Sequence, residues 1–322
     1  MQIAALFSPG KSARLLSGLL LGGVLLFFAA WAGAAEEAPI TVLYPDIGEP
    51  YRGIFEKIIE GIKAKVDVPL THHALRAGTD IDELRTSLKI RNTKVVIALG
   101  RQGMKAATPL NNGIKVVVGG VLTVPKSELS KGSIISLAPD PALLFAHMKE
   151  LVPKAKRVFV VYDPDYNDWL IALAEESARA QGLELVARKA TDLRSATQFY
   201  QDFFSGADAQ TEILWLPQDA TTVDENLILP LVLRESWRRN IAVFSSSVGH
   251  VVRGVLFSMY PDNVAMGRSL GGLAQDMISG GRARYGIRPL RDLHSAINLR
   301  TAKHLALNLN PSQSFDSAYP EP

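Results

Sequence analysis

Short apolar and β-branched runs alternate with stretches of helical periodicity along this chain, and the alternation happens twice. Residues 41–44, 70–75, 94–99 and 114–118 read as strands, each bounded by Gly, Pro or charge. Between the first two, Ile54, Phe55, Ile58, Ile59 and Ile62 recur at three- and four-residue steps, so that helix buries one face against a sheet. Leu84 and Leu88 begin a second such unit. The pattern restarts with strands at residues 157–162, 183–187, 212–216 and 241–244, and with a helix striped by Ala196, Phe199, Tyr200, Phe203 and Phe204. Repeated strand–helix–strand units require parallel sheets covered on both faces, because the right-handed crossover lays each helix over the sheet. The expected fold class is α/β, with two doubly wound parallel-sheet lobes.

Size supports two cores. Of 322 residues, 288 follow Ala34, more than the roughly 100–200 that one core usually serves. The lobes are expected to join near residues 133–139, and the chain does not end with the second block. Residues 254–259 read as a further strand, and Pro261-Asp262-Asn263 starts a helix whose buried stripe is Met266, Leu270, Leu273, Ala274, Met277 and Ile278. Gly280-Gly281 stops it. A helix left over after the second block implies a return to the first lobe. The expected division is 35–135 plus 261–290 for lobe 1, and 136–260 plus 291–322 for lobe 2. Several crossings make a hinge, and a hinge makes a clam-like cleft.

The first residues speak to location. Lys11 and Arg14 precede an apolar run at residues 15–31, and Ala32-Gly33-Ala34 follows with the small-x-small pattern of a signal-peptidase site. Residues 1–34 are therefore read as a cleaved signal peptide and the protein as periplasmic. A retained anchor is the alternative, and it changes tethering rather than chemistry. Cysteine is absent, which excludes disulfides, thiolate chemistry and an acylated lipoprotein anchor. Lys11 and Arg14 removed, 33 Lys and Arg face 32 Asp and Glu, a balance that gives no reason to expect nucleic acid as partner. No Gly-x-Ser-x-Gly elbow occurs, and no Gly-x-Gly-x-x-Gly follows a strand. His72-His73, the one adjacent histidine pair, would point its rings to opposite faces of a strand. No catalysis, metal or cofactor is expected.

Several stretches together resemble a known family. Ile297-Asn298-Leu299-Arg300-Thr301-Ala302-Lys303 looks like the closing I-N-L-x-T-A-K segment of ABC-transporter substrate-binding proteins in the family that includes tryptophan- and other aromatic-amino-acid-binding members. Gly254-Val255-Leu256-Phe257-Ser258, then Met266-Gly267-Arg268 and Ile278-Ser279-Gly280-Gly281, are similar to its G-A-L-x-S, G-R and I-L-x-G pieces. Leu151-Val152-Pro153-Lys154-Ala155-Lys156-Arg157-Val158 and Gly182-Leu183-Glu184-Leu185-Val186 resemble its L-x-P-x-A-K-R-V and G-L-E-L-V runs. Residues 45–51 and 133–136 depart from it, and both lie where ligand contacts are expected. The resemblance implies a type I periplasmic-binding-protein fold: a monomer that captures a small solute, an amino acid or a related molecule, and hands it to an inner-membrane permease. A ligand-sensing subunit signalling to a membrane receptor is the alternative.

Physical reasoning places the site separately. In parallel α/β sheets ligands sit beyond the carboxyl ends of the strands, where loops converge and helix N-termini offer free N–H groups. That rule selects Asp46, Glu49 and Tyr51, then Gly100, Arg101 and Gln102, then Gly120 in the first lobe. In the second it selects Asp163, Tyr166, Asn167 and Trp169, then Gln218 and Asp219, then Ser245. An amino-acid-like ligand needs a carboxylate for its ammonium, N–H or hydroxyl donors for its carboxylate, and an aromatic wall. Each residue also has a plainer reading: Asp163 as the opening of a turn with helix capping, Trp169 and the tyrosines as packing between helix and sheet, Arg101 as a solvated cation, Ser245 as loop composition. Trp215 within a strand and Trp237 late in a helix are expected to stay clear of the cleft.

Overall fold

The structure is a computed structural model that describes residues 37–110, 113–122, 124–125, 128, 132–281, 285–309 and 314–320. The signal-peptide reading of residues 1–34 lies outside them.

The first sheet is built from β1 (Ile40–Pro45), β2 (Leu70–Leu75), β3 (Val95–Leu99), β4 (Lys115–Val121), β5 (Ser133–Pro139) and β11 (Gly286–Leu290), in the order β11-β5-β4-β3-β1-β2, all parallel. Alternation along the strands sends Val95, Ile97 and Leu99 to one face and Val96 and Ala98 to the other. The first face is covered by α1 (Tyr51–Lys65) and α9 (Asn263–Ile278), the second by α2 (Ile81–Ile90) and α3 (Gly100–Ala107). Ile58, Ile59 and Ile62 of the predicted stripe are buried, whereas Ile54 is 39% exposed at the start of α1. The helix after Pro261 lies against α1 at very short range. A Cβ on Gly267 would fall 2.1 Å from the Ile58 carbonyl oxygen, and one on Gly61 would fall 2.0 Å from that of Val264. Glycines set the helix spacing here, because any side chain would force the pair apart.

The second sheet holds β6 (Arg157–Tyr162), β7 (Glu184–Lys189), β8 (Glu212–Leu216), β9 (Val243–Ser245), β10 (Phe257–Pro261), β12 (Leu293–Asn298) and β13 (Ser317–Tyr319), in the order β13-β12-β10-β9-β8-β6-β7. Its pairs are parallel except that of β12 with β10, so β12 and β13 run against the other five strands. One face carries α4 (Pro141–Leu151) and α5 (Pro164–Ala180), the other α6 (Leu193–Gly206) and α7 (Ile228–Arg239). Trp215, Phe145, Phe244 and Phe257 form the aromatic centre of the first face, with Phe145 edge-on to Trp215 at 5.5 Å between centroids. Such rings each contribute on the order of 1.5–3 kcal/mol on burial. Two short helices, α8 (Val248–Arg253) and α10 (Leu299–His304), follow β9 and β12.

Residues 133–139, expected as the join between lobes, are instead a strand of the first sheet, and the chain leaves that sheet at Asp140. The run is apolar and β-branched enough to be buried as β5. Three crossings connect the sheets: β5 to α4, β10 to α9 and β11 to β12. All three occur at the carboxyl ends of β5, β10 and β11, since Pro139 pairs with Leu290 and Pro261 with Leu293. The crossings are laced together by Asp140 N–H donating to the Leu290 carbonyl at 2.8 Å and Asp262 N–H to that of Asp292 at 3.0 Å. Tied at those ends, the carboxyl edges of the two sheets face one another.

Candidate functional site

In each sheet the strand order reverses once, between β1 and β3 in the first and between β6 and β8 in the second, and in sheets of this kind ligands sit where neighbouring strands send their loops in opposite directions. The sequence-predicted residues of both lobes lie at the ends of these strands and their neighbours.

The first-lobe edge is made largely of backbone. After β3 the chain turns through Gly100 at φ +68°, and Gly120 near the end of β4 has the same φ. A Cβ on Gly100 would stand 3.1 Å from the Phe55 ring, and one on Gly120 would meet the Gly100 nitrogen at 3.4 Å. Both strand ends therefore pass close together beneath Phe55. No side chain of its N-cap residue caps α3, so its first N–H groups keep donor capacity for an acceptor, whereas the first turn of α1 is met by the Glu49 carboxylate. Gln102 is half-buried and donates to the Leu75 carbonyl at 3.1 Å; Arg101 is exposed at the head of α3. Asp46 is exposed and pairs with Arg76 at 3.1 Å, and Glu49 accepts from Gly53 N–H at 3.4 Å. Tyr51 is 62% exposed.

The second-lobe edge is a buried polar network. Asp219 accepts four hydrogen bonds: from Asp163 N–H at 2.7 Å and Asn167 Nδ2 at 2.9 Å on one oxygen, and from Thr221 and Thr222 N–H at 3.0 and 3.1 Å on the other. Asp163 caps α5 by accepting from Asp165 N–H at 3.0 Å, and its second oxygen accepts from Thr221 Oγ1 at 2.9 Å. Asp163, Asn167 and Asp219 are each under a tenth exposed. These three predicted residues are thus brought together, with one another as partners, to brace the ends of β6 and β8. Thr221 and Thr222, which sequence reasoning missed, complete the brace. The D-A-T-T spacing that lets a carboxylate cap its own turn was the available signal.

Tyr166 is 41% exposed on the first turn of α5. Trp169 is half-buried against the sheet core, its Nε1 donating to the Tyr166 carbonyl at 3.0 Å. Gln218 differs from its neighbours, because its Oε1 is buried and has no hydrogen-bond partner among the described residues. Such an acceptor is costly unless a donor reaches it. Tyr162 donates to Asp168 at 3.2 Å, and burial, reinforced by that carboxylate, pushes its phenol up to about 12.

Ser245 is fully buried. It contacts His250 Nδ1 at 2.8 Å, while His250 Nε2 meets Glu225 Oε1 at 2.9 Å. The order serine, imidazole, carboxylate invites comparison with a hydrolytic relay, but Ser245 Oγ also accepts from Ser247 N–H at 3.0 Å and lies 3.2 Å from the Leu216 carbonyl. With no surface exposed it braces the β9–α8 turn instead of reaching a substrate. Burial holds the His250 imidazole below its ordinary pKa against the opposing pull of Glu225, so the neutral ring donates from Nε2. Among the described residues no group of three His, Cys, Asp or Glu side chains is placed to hold a metal ion.

No family model matches this chain, and no curated protein matches it in sequence. Solved structures do share its fold. A ligand-free, open substrate-binding protein with adhesive properties from Clostridium difficile superposes with a TM-score of 0.59 at 15% identity, over 86% of this chain and 98% of that one. The ABC domain from Streptococcus pneumonia in complex with L-Trp gives 0.54 at 16% identity, covering 88% and 100%. A conserved domain protein from Vibrio cholerae gives 0.53 at 16% identity with the same coverage. The chain has the two-lobed type I periplasmic-binding-protein fold.

Proposed function

We propose that this chain is an exported solute-binding protein that captures a small solute, an amino acid or a related small molecule, between its lobes for an inner-membrane ABC permease. The observation that carries the reading is the set of three crossings that makes the carboxyl edges of both sheets face each other. A solute held between two hinged edges favours the closed arrangement, because only there does it touch both. Residues 1–34 direct export in this reading, and among the described residues no helix is long and apolar enough to cross a membrane.

The two edges divide the solute between them. A carboxylate is received by the uncapped N-terminus of α3 beside Gly100, Arg101 and Gln102, where backbone N–H groups and the helix dipole favour an anion. The far end of the solute meets Tyr166 and the unpartnered Gln218 Oε1, which selects an N–H or O–H donor. Asp163, Asn167 and Asp219 hold that edge in shape without touching the solute. The two neighbours whose names speak of a bound ligand or a substrate-binding role agree with this class.

The test is calorimetric titration with amino acids and small organic acids, together with small-angle scattering. One class should bind with one-to-one stoichiometry and reduce the radius of gyration. Binding without compaction by every solute that binds would sink the closure reading.

A further inference from the structure

A cavity lies at the opposite end of the second sheet. It occupies about 800 Å³ between the last turns of α7 and α8 and the short helix α10. Ile241, which precedes β9, Gly254, which precedes β10, and Asn298, which ends the antiparallel β12, all border it. Those positions mark the edge where the parallel strands begin, whereas Asp163, Asp219 and Ser245 stand where they finish. The cavity is separate from the interlobe cleft.

Its volume falls in the range of small-molecule sites, roughly 300–1,000 Å³. Leu233, Trp237, Ile241, Val252, Leu305 and Tyr319 give it apolar walls. Trp237 remains 40% exposed and Val252 56% exposed, although both are large apolar groups. Trp237 is also fixed in place. The His304 ring stacks on it at 3.7 Å between centroids and 7° between planes, and His304 Nε2 donates to the Trp237 carbonyl at 2.9 Å.

Charge identifies the occupant. Arg234, Arg238, Arg253 and Arg300 line the cavity, and no carboxylate does among the described residues. The carboxylates behind them are few: Glu235 serves Arg234, Arg238 and Arg239, and Glu225 serves Arg253. The Arg300 guanidinium lies 5.2 Å from the Trp237 ring centre and has no carboxylate partner among the described residues. This concentration does not reflect a basic chain, since cations exceed anions by only one after residue 34. A preorganised indole flanked by guanidinium groups suits an apolar body that carries a carboxylate or sulfonate, which arginine engages with two parallel N–H donors.

We propose that this cavity is a second ligand site, for a small amphipathic organic anion. The probe is 8-anilinonaphthalene-1-sulfonate, with the uncharged N-phenyl-1-naphthylamine as control, followed by the indole N–H signals of the full chain in nitrogen-15 NMR. The sulfonate should shift the Trp237 signal saturably, leave that of Trp215 in place, and bind about fivefold or more tightly than the uncharged probe. Arg300→Gln should weaken it about fivefold and Arg300→Glu further, both with thermal midpoints close to wild type because Arg300 is exposed and has no carboxylate partner among the described residues. An unmoved Trp237 signal, equal affinity for the two probes, or wild-type affinity in both variants would overturn the proposal, including the case in which the patch serves only a protein partner. Competition between the probe and whatever solute closes the cleft would overturn the separation of the two sites.

Discussion

The two carboxyl edges that face each other are built on opposite principles. The first lobe leaves backbone uncapped and uses left-handed glycine at Gly100 and Gly120 to bring strand ends together under Phe55. The second lobe consumes its polar groups internally: four donors converge on Asp219, and both Asp163 oxygens are taken. An edge of free N–H groups can receive an anion, whereas an edge whose carboxylates already accept within the protein offers an incoming group fewer open acceptors. The difference shows that a cluster of acids at a strand end is not by itself a binding site. What matters is whether its oxygens still lack donors.

The largest expected effect breaks the second edge. Asp219→Ala strands Asp163 N–H, Asn167 Nδ2 and two threonine N–H groups in a buried setting, which should cost about 3 kcal/mol or more in urea unfolding. Asp46→Ala on the first edge removes an exposed pair with Arg76 and should cost less than about 0.5 kcal/mol. Equal losses in the two variants would erase the contrast between the lobes.

Next comes the glycine edge. Gly100→Ala adds a Cβ at φ +68°, 3.1 Å from the Phe55 ring, so it should lower stability by about 1–2 kcal/mol and also weaken solute binding. Asp163→Ala should cost about 1 kcal/mol as a lost helix cap and leave solute affinity unchanged once the protein is folded. If calorimetry showed that Asp163→Ala abolishes binding while Gly100→Ala leaves it intact, the roles assigned to the two edges would be reversed.

How much of this was legible in the sequence depends on the physics involved. Strand alternation and helix stripes are periodic, so β6 and β8 fall where residues 157–162 and 212–216 predict them, and α9 keeps Met266, Leu270, Ala274 and Met277 buried. The residues picked by the strand-end rule do follow the carboxyl ends of strands in both sheets. The rule could not tell a carboxylate that caps its own turn from one that faces a ligand, because the donors for Asp219 come from Asp163 and Asn167, more than fifty residues away. Trp237 illustrates the same limit. Its place late in a helix predicts only that it stays clear of the cleft, while its open face and its stacking on His304 arise when α7 and α10 meet.

Gln218 offers a smaller and sharper test, since it is the predicted second-lobe residue whose acceptor is left buried without a donor. Gln218→Leu removes that acceptor at similar volume and should leave the empty protein's stability within about 0.5 kcal/mol of wild type. Solute affinity should fall by about 1–2 kcal/mol if the solute supplies the missing donor. Loss of stability without loss of affinity would place Gln218 in the structural network with Asp219.

The smallest effect concerns acid. His250 lies within the second edge at 4% exposure, and burial outweighs the pull of Glu225, so its folded pKa is below the ordinary 6.5. Between those two values the unfolded chain binds the proton and the folded protein does not, so protonation favours unfolding. The contribution is complete above pH 6.5 and is lost as pH falls through 6.5 toward the folded value. His147, also held down chiefly by burial, adds to the same window, whereas Asp192, Asp208 and Asp316, lowered by hydrogen bonds, act only below the ordinary carboxylate range. Trp169, Trp215 and Trp237 all belong to the second lobe, so in protein prepared from Ala35 onward, without Trp31, tryptophan fluorescence during urea unfolding reports on that lobe alone. Its midpoint should fall between pH 7 and pH 5, and His250→Gln, which has no proton to take up, should flatten that slope. An equally steep slope in the variant would show that the acid sensitivity of the second lobe lies elsewhere than in the Ser245–His250–Glu225 brace.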